Sequence, residues 1–229
     1  RPLPFVLPLT RSIVRGRLAL RTGFLLDRLV AADRNTDIPA SHELPAGQVL
    51  PAAEAERRFP PLSGRTMTGA AMWYDYVTTE AERLTLAWAL SAVEHGAVVA
   101  NHCGVTAFTK GPDGRVTGAT VSADGRELTV RAKTVVNAAG VFSDDVRALD
   151  EGTHPHSIRP AKGIHITVPW EKVRNDIAAI VPVPKDRRSI FVVPWGDLTY
   201  IGTTDTDYDG PIDDPQCTPE DVKYLLDAM

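Results

Sequence analysis

Apolar and polar residues repeat with two different periods along the chain, and the changes of period mark its elements. Pro2, Pro4 and Pro8 forbid a helix over residues 1–10, which reads as extended. From 11 to 33, Ile13, Val14, Leu18, Leu25, Leu26, Leu29 and Val30 recur at near-helical intervals, interrupted by Gly16 and Gly23. Five arginines sit among them, so the segment reads as one or two helices packed on a core with an arginine face; an amphipathic helix on an anionic membrane is the alternative. Residues 34–65 are a Pro-rich connection with one short helix over 52–58. Trp73, Tyr74 and Tyr76 give 69–77 the composition of a strand.

Thr79-Glu-Ala-Glu82 has the form of a capping box. The helix it opens is apolar nearly all round, through Leu84, Trp88, Leu86, Leu90 and Val93, and is expected to be buried and to end at Gly96. A short strand follows over 97–100. Asp-Gly turns at 113–114 and 124–125 then divide β-rich runs into a three-stranded meander over 105–109, 116–122 and 127–132. Residues 134–140 read as a buried parallel strand ending at Gly140, with Ser143 placed to cap the next helix. In 159–170, Ile164, Ile166 and Val168 alternate with His165 and Thr167, giving a strand with one apolar and one polar face. Residues 189–195 and 198–205 form a hairpin around Gly196-Asp197. Gly202 inside the second strand marks a bulge or a close approach to the backbone. Thr218-Pro-Glu-Asp221 opens a final helix with Thr218 as N-cap.

Composition narrows the function classes. A net charge of -4, with 25 Lys and Arg scattered along 229 residues, argues against a nucleic-acid partner. Cys103 and Cys217 are too few for a disulfide framework and lack metal-ligand spacing, which fits a reducing cytoplasm. No apolar run approaches a membrane span, and no signal peptide is recognisable. A start at Arg1 and an end in mid-helix read as a piece of a longer protein.

The chemistry concentrates around residues 159–165. Arg159, Lys162 and His165 flank the flexible Gly163. An imidazole on the polar face of a strand, with two cations upstream, suits an anionic substrate and the transfer of one of its protons. The order of elements before it, from buried helix to strand, meander and buried strand with a small-residue turn, is that of the returning half of a nucleotide-binding flavoprotein domain.

Taken together, Trp73-Tyr-Asp-Tyr-Val-Thr-Thr-Glu-Ala-Glu-Arg-Leu84, Val135-Val-Asn-Ala-Ala-Gly-Val141, Ile158-Arg-Pro-Ala-Lys-Gly-Ile-His165, Phe191-Val-Val-Pro-Trp195 and Ile201-Gly-Thr-Thr-Asp205 span the chain. In these blocks it resembles the FAD-dependent glycerol-3-phosphate dehydrogenase family, within the D-amino-acid-oxidase-like flavoproteins. The resemblance implies a mixed α/β, two-domain flavoprotein fold. Residues 1–70 and 156–229 belong to the substrate domain with its mixed sheet, and 71–155 to the returning half of the FAD domain with its β-meander. It implies oxidation of glycerol 3-phosphate to dihydroxyacetone phosphate, with electrons passed to a quinone and peripheral contact with the inner face of the plasma membrane. His165 is the expected catalytic base; Arg159, Lys162 and Thr204 are the expected substrate contacts. Val105, Ala138, Ala139 and Gly140 are the expected cofactor-side backbone. The family's Gly-rich dinucleotide loop falls before Arg1 and its phosphate-closing region after Met229, so half of the site is expected here. An amine or amino-acid oxidase of the same group, and a non-catalytic domain, are the competing readings.

Overall fold

The computed structural model describes residues 2–14, 16–183, 186 and 188–229. In chain order the elements are β1 (Pro2–Leu9), α1 (Arg17–Val30), β2 (Gln48–Leu50), α2 (Ala52–Arg58), β3 (Gly69–Tyr76), α3 (Ala81–Glu94), β4 (Cys103–Lys110), β5 (Val116–Ala123), β6 (Arg126–Arg131), α4 (Ser143–Glu151), β7 (Ala161–Lys162), β8 (His165–Pro169), β9 (Ala178–Pro182), β10 (Ser189–Trp195), β11 (Leu198–Gly202), β12 (Thr206–Asp207) and α5 (Pro219–Asp227). They form two units. The first takes residues up to 79, 162–206 and 216–229; the second takes 80–161 and 207–215. β3 thus belongs to the first unit, past the expected boundary at 70.

The first unit is built on a seven-stranded sheet in the order β2-β3-β1-β9-β10-β11-β8. β1 runs parallel to β9, and every other ladder is antiparallel, so the sheet is mixed. Side chains alternate between its faces. Val6, Ala179 and Val192 are register partners across β1, β9 and β10, and with Ile190, Ile201 and Phe59 they form the main core. Ala55 of α2 and Leu225 and Ala228 at the C-terminal end cover that face. The core also encloses polar groups that satisfy one another: Thr199 Oγ1 donates to Asn175 Oδ1 at 2.7 Å, and Asn175 Nδ2 donates to the Ile177 carbonyl. α5 opens as expected, with Thr218 and Asp221 forming a capping box.

α1 departs from expectation. It has no buried residue, and Leu18, Leu25, Leu26, Leu29 and Val30 are exposed. Only Arg17, Ala19, Leu20 and Phe24 are half-buried, since the helix touches β2 and β3 along one narrow edge. The apolar stripe is wider than the surface that receives it.

The second unit holds the meander, β4-β5-β6, in the expected antiparallel order. Its other elements correct the sequence reading. Residues 97–100 and 134–139 form no strand; Val98 is 97% exposed and Val136 79%. A ladder needs a neighbour, and neither segment finds one among the described residues. α3 is helical but not buried: Leu86, Leu90 and Trp88 face solvent, Trp88 at 66%. The capping box at 79–82 does not form. The helix starts at Ala81 with Glu80 as an N-cap that makes no side-chain cap bond, and the Glu80 carboxylate pairs with Arg83 instead. Ser143 is likewise no N-cap, because its hydroxyl turns back to donate to the Gly140 carbonyl at 2.7 Å.

Candidate functional site

The second face of the large sheet carries the candidate base, His165. Register places His165 opposite Gly202 and Thr167 opposite Tyr200, on the side away from Ile166, Val168 and Ile201. The same alternation brings Phe191 of β10 to the neighbouring position on that face. Beyond it, Phe5 stacks on Trp73 with ring centres 6.0 Å apart and meets Phe191 edge-on at 6.4 Å. This is an aromatic face with one imidazole near its edge. Phe191 remains 41% exposed and His165 is exposed, so the face is open to a ligand.

His165 is held from two sides. The Tyr200 ring lies edge-on at 5.3 Å between centres, and Trp195 supports Tyr200 in turn at 5.6 Å. Burial pushes the Tyr200 phenol up from its ordinary value, which keeps it neutral beside the imidazole. On the other side the ring rests on Gly202, where an added Cβ would come within 2.3 Å of His165 Cδ2. Both ladders run evenly up to their last pair at Gly202 with no register shift, so the close approach of the ring is what favours glycine there.

The expected substrate contacts behave differently from one another. Lys162 is turned inward onto an anion of the protein itself: its side chain is 8% exposed, and its ammonium donates to Asp221 at 2.6 Å and to the Gln216 carbonyl at 3.0 Å. Burial raises the Asp221 carboxyl, but Lys162 and the N–H and hydroxyl of Thr218 outweigh it and hold that carboxyl below the usual carboxylate range. Thr204 is buried too. Its hydroxyl accepts from the Ile164 N–H at 2.9 Å and donates to the Lys162 carbonyl at 3.2 Å. Both residues therefore fasten the 162–164 segment that leads into His165. Arg159, in the second unit, makes an exposed ion pair with Asp207. Such a pair contributes little and leaves the guanidinium open to exchange for a stronger anion.

The residues expected at the cofactor also lie in the second unit. Val105 sits on β4 where the ladder register shifts. Ala138, Ala139 and Gly140 present a turn without bulky side chains, in which the Ala139 N–H donates to Asn137 Oδ1 at 3.2 Å. Gly140 takes φ +58, a left-handed conformation, and nothing stands within 4 Å of a Cβ built on it. This fits backbone approach by a flat group. It offers a pyrophosphate little, because α4 carries two acids, Asp144 and Asp145, in its first turn, where their charges oppose an anion. The Asp144 carboxylate accepts from Ser157 Oγ, Ser157 N and Ile158 N, and these bonds, the Ser157 hydroxyl first, hold it below the usual range.

The sequence singles out His165 and Gly202 separately, but not the contact between them. The two-residue hairpin around Gly196-Asp197 fixes Phe191 opposite Gly202, but the β8–β11 pairing that seats His165 there joins segments distant in sequence. The burial of Lys162 left no local signal.

The profile of the FAD dependent oxidoreductase family matches residues 14–229. A glycerol-3-phosphate dehydrogenase of Mycobacterium leprae is 35% identical over 231 residues, aligned with 100% of this chain. An alpha-glycerophosphate oxidase of Streptococcus pyogenes is 34% identical over 239 residues, again across 100% of the chain. The chain spans 37% of the length of each of these relatives. Among solved structures, the glycerol-3-phosphate dehydrogenase from Bacillus halodurans, complexed with FAD, superposes with a TM-score of 0.76 at 29% identity, over 100% of this chain and 39% of that one.

Proposed function

This chain belongs to the FAD dependent oxidoreductase family, and from that premise we propose that its protein oxidises sn-glycerol 3-phosphate to dihydroxyacetone phosphate. The observation that carries the reading is His165: an exposed imidazole, seated on Gly202 and braced by Tyr200, on an aromatic sheet face. The relatives named above, matched along the whole chain, give that imidazole its substrate class.

Bound FAD supplies the hydride acceptor. His165 accepts the proton of the C2 hydroxyl, so the alcohol loses one proton and one hydride and becomes the ketone. Arg159 exchanges Asp207 for the substrate phosphate, a doubly charged partner at neutral pH. Val105, Ala138, Ala139 and Gly140 would hold the cofactor by backbone approach alone. Lys162 and Thr204 serve the site from behind, by fixing the chain that carries His165. The electron acceptor in this reading is a quinone. Among the described residues no helix is long and apolar enough to cross a membrane. The exposed leucines of α1, interspersed with Arg21 and Arg28, support peripheral contact with an anionic membrane from the cytoplasmic side.

The test is His165→Asn in the full-length protein. Turnover of glycerol 3-phosphate is expected to fall by about 10²–10⁴-fold, the usual contribution of a general base. A fall of less than about threefold, far below that range, removes His165 from the role.

A further inference from the structure

We infer that Gly202 is a positioning residue for His165: by withholding a Cβ it seats the imidazole against the β11 backbone and so fixes where the ring nitrogens point. The inference rests on the reading of His165 as the base and adds what sets its geometry. A Cβ at position 202 would stand 2.3 Å from His165 Cδ2, 2.8 Å from Cγ and 3.0 Å from Nε2. These are the three nearest atoms, so the space that glycine leaves is filled by this one ring. Gly202 does not need glycine for its own backbone, which lies outside the left-handed region. Glycine inside a strand costs conformational entropy and packs nothing, so its presence here calls for a local reason. The cross-strand partner supplies one.

The surroundings decide what would give way. The backbone ahead of His165 cannot retreat, because it is tied to the strand end beyond Gly202 by three bonds. Thr204 N–H donates to the Ile164 carbonyl at 3.2 Å, Ile164 N–H donates to Thr204 Oγ1, and Thr204 Oγ1 donates to the Lys162 carbonyl. Tyr200 stands against the ring on the same face. A methyl group at 202 is therefore accommodated by turning the imidazole out of its seat and not by opening the ladder. A displacement of about 1 Å at a catalytic group lowers rates by on the order of 10²-fold.

The experiment is a double-mutant cycle in the full-length, FAD-loaded protein, read as kcat with glycerol 3-phosphate. Gly202→Ala is expected to lower kcat by on the order of 10²-fold, and His165→Ala by about 10²–10⁴-fold. The double variant should match His165→Ala within about twofold, because the alanine then has no ring to displace. Losses that multiply in the double variant overturn the inference. A second readout is independent of catalysis. With glycine labelled at Cα, one Gly202 Hα should carry a ring-current shift from His165 that vanishes in His165→Ala. Absence of that shift in the wild type refutes the seat, whatever the kinetics and even where Gly202→Ala fails to fold. If the shift is present but His165→Ala keeps full turnover, the base assignment falls and the seat stands.

Discussion

Lys162 and Asp221, at 8% and 5% side-chain exposure, form the most deeply buried ion pair among the described residues. Their mutual attraction offsets a desolvation cost that either charge alone would bear uncompensated. Lys162→Met should therefore destabilise the protein by roughly 3–5 kcal/mol, the usual cost of stranding one buried charge. Adding Asp221→Asn, which keeps an acceptor for the Thr218 N–H but no charge, should restore most of the loss. Urea titrations of the single and double variants check both statements, and a double variant no more stable than the single one refutes the account. The pair also shows what the sequence around a cation cannot disclose. Its partner lies 59 residues away, and nothing local distinguishes a lysine that meets a substrate from one that meets a helix cap. His165 was legible because strand alternation alone assigns its face.

At the scale of elements, the same carboxylate closes the capping box of α5. Its folded pKa lies below the unfolded value of about 3.9. A depressed carboxylate contributes stability that is fully present above the unfolded pKa and is lost as pH falls through the folded one. The melting temperature of the wild type should drop over that acid window, and the drop should be shallower in Asp221→Asn. Parallel curves for the two proteins would show that Asp221 carries none of the acid sensitivity. Which elements could be read in advance follows from where their partners lie. The Thr218 cap, α2, the meander and the β10–β11 hairpin are specified by residues close in sequence, and all formed. Residues 97–100 and 134–139 have the apolar composition of strands, yet a strand is a relation between two segments. Composition cannot supply the second. For α1 and α3 an apolar stripe states which face requires cover, not whether cover is present.

The two units leave different surfaces uncovered, and this bears on cofactor binding by the molecule as a whole. In the first, the open face is aromatic and carries His165. In the second, Trp88, Val98 and Val136 are exposed together with Ala138 and Gly140 of the small-residue turn, Ala139 being half-buried. That turn permits close approach but provides no positive charge, and the first turn of α4 beyond it carries Asp144 and Asp145, which oppose a pyrophosphate at that helix N-terminus. Dinucleotide affinity in doubly wound folds depends heavily on such an N-terminus. The chain spans only 37% of its relatives' length. A purified polypeptide of these 229 residues should therefore be colourless even when FAD is supplied during purification. The full-length protein should show the absorption of bound oxidised flavin. A yellow preparation of the 229 residues with stoichiometric FAD would locate a phosphate-binding determinant within this chain, and Arg159, in an exposed pair with Asp207, would be the first residue to substitute. A colourless one places that determinant in the remaining length and leaves this chain the base and its seat.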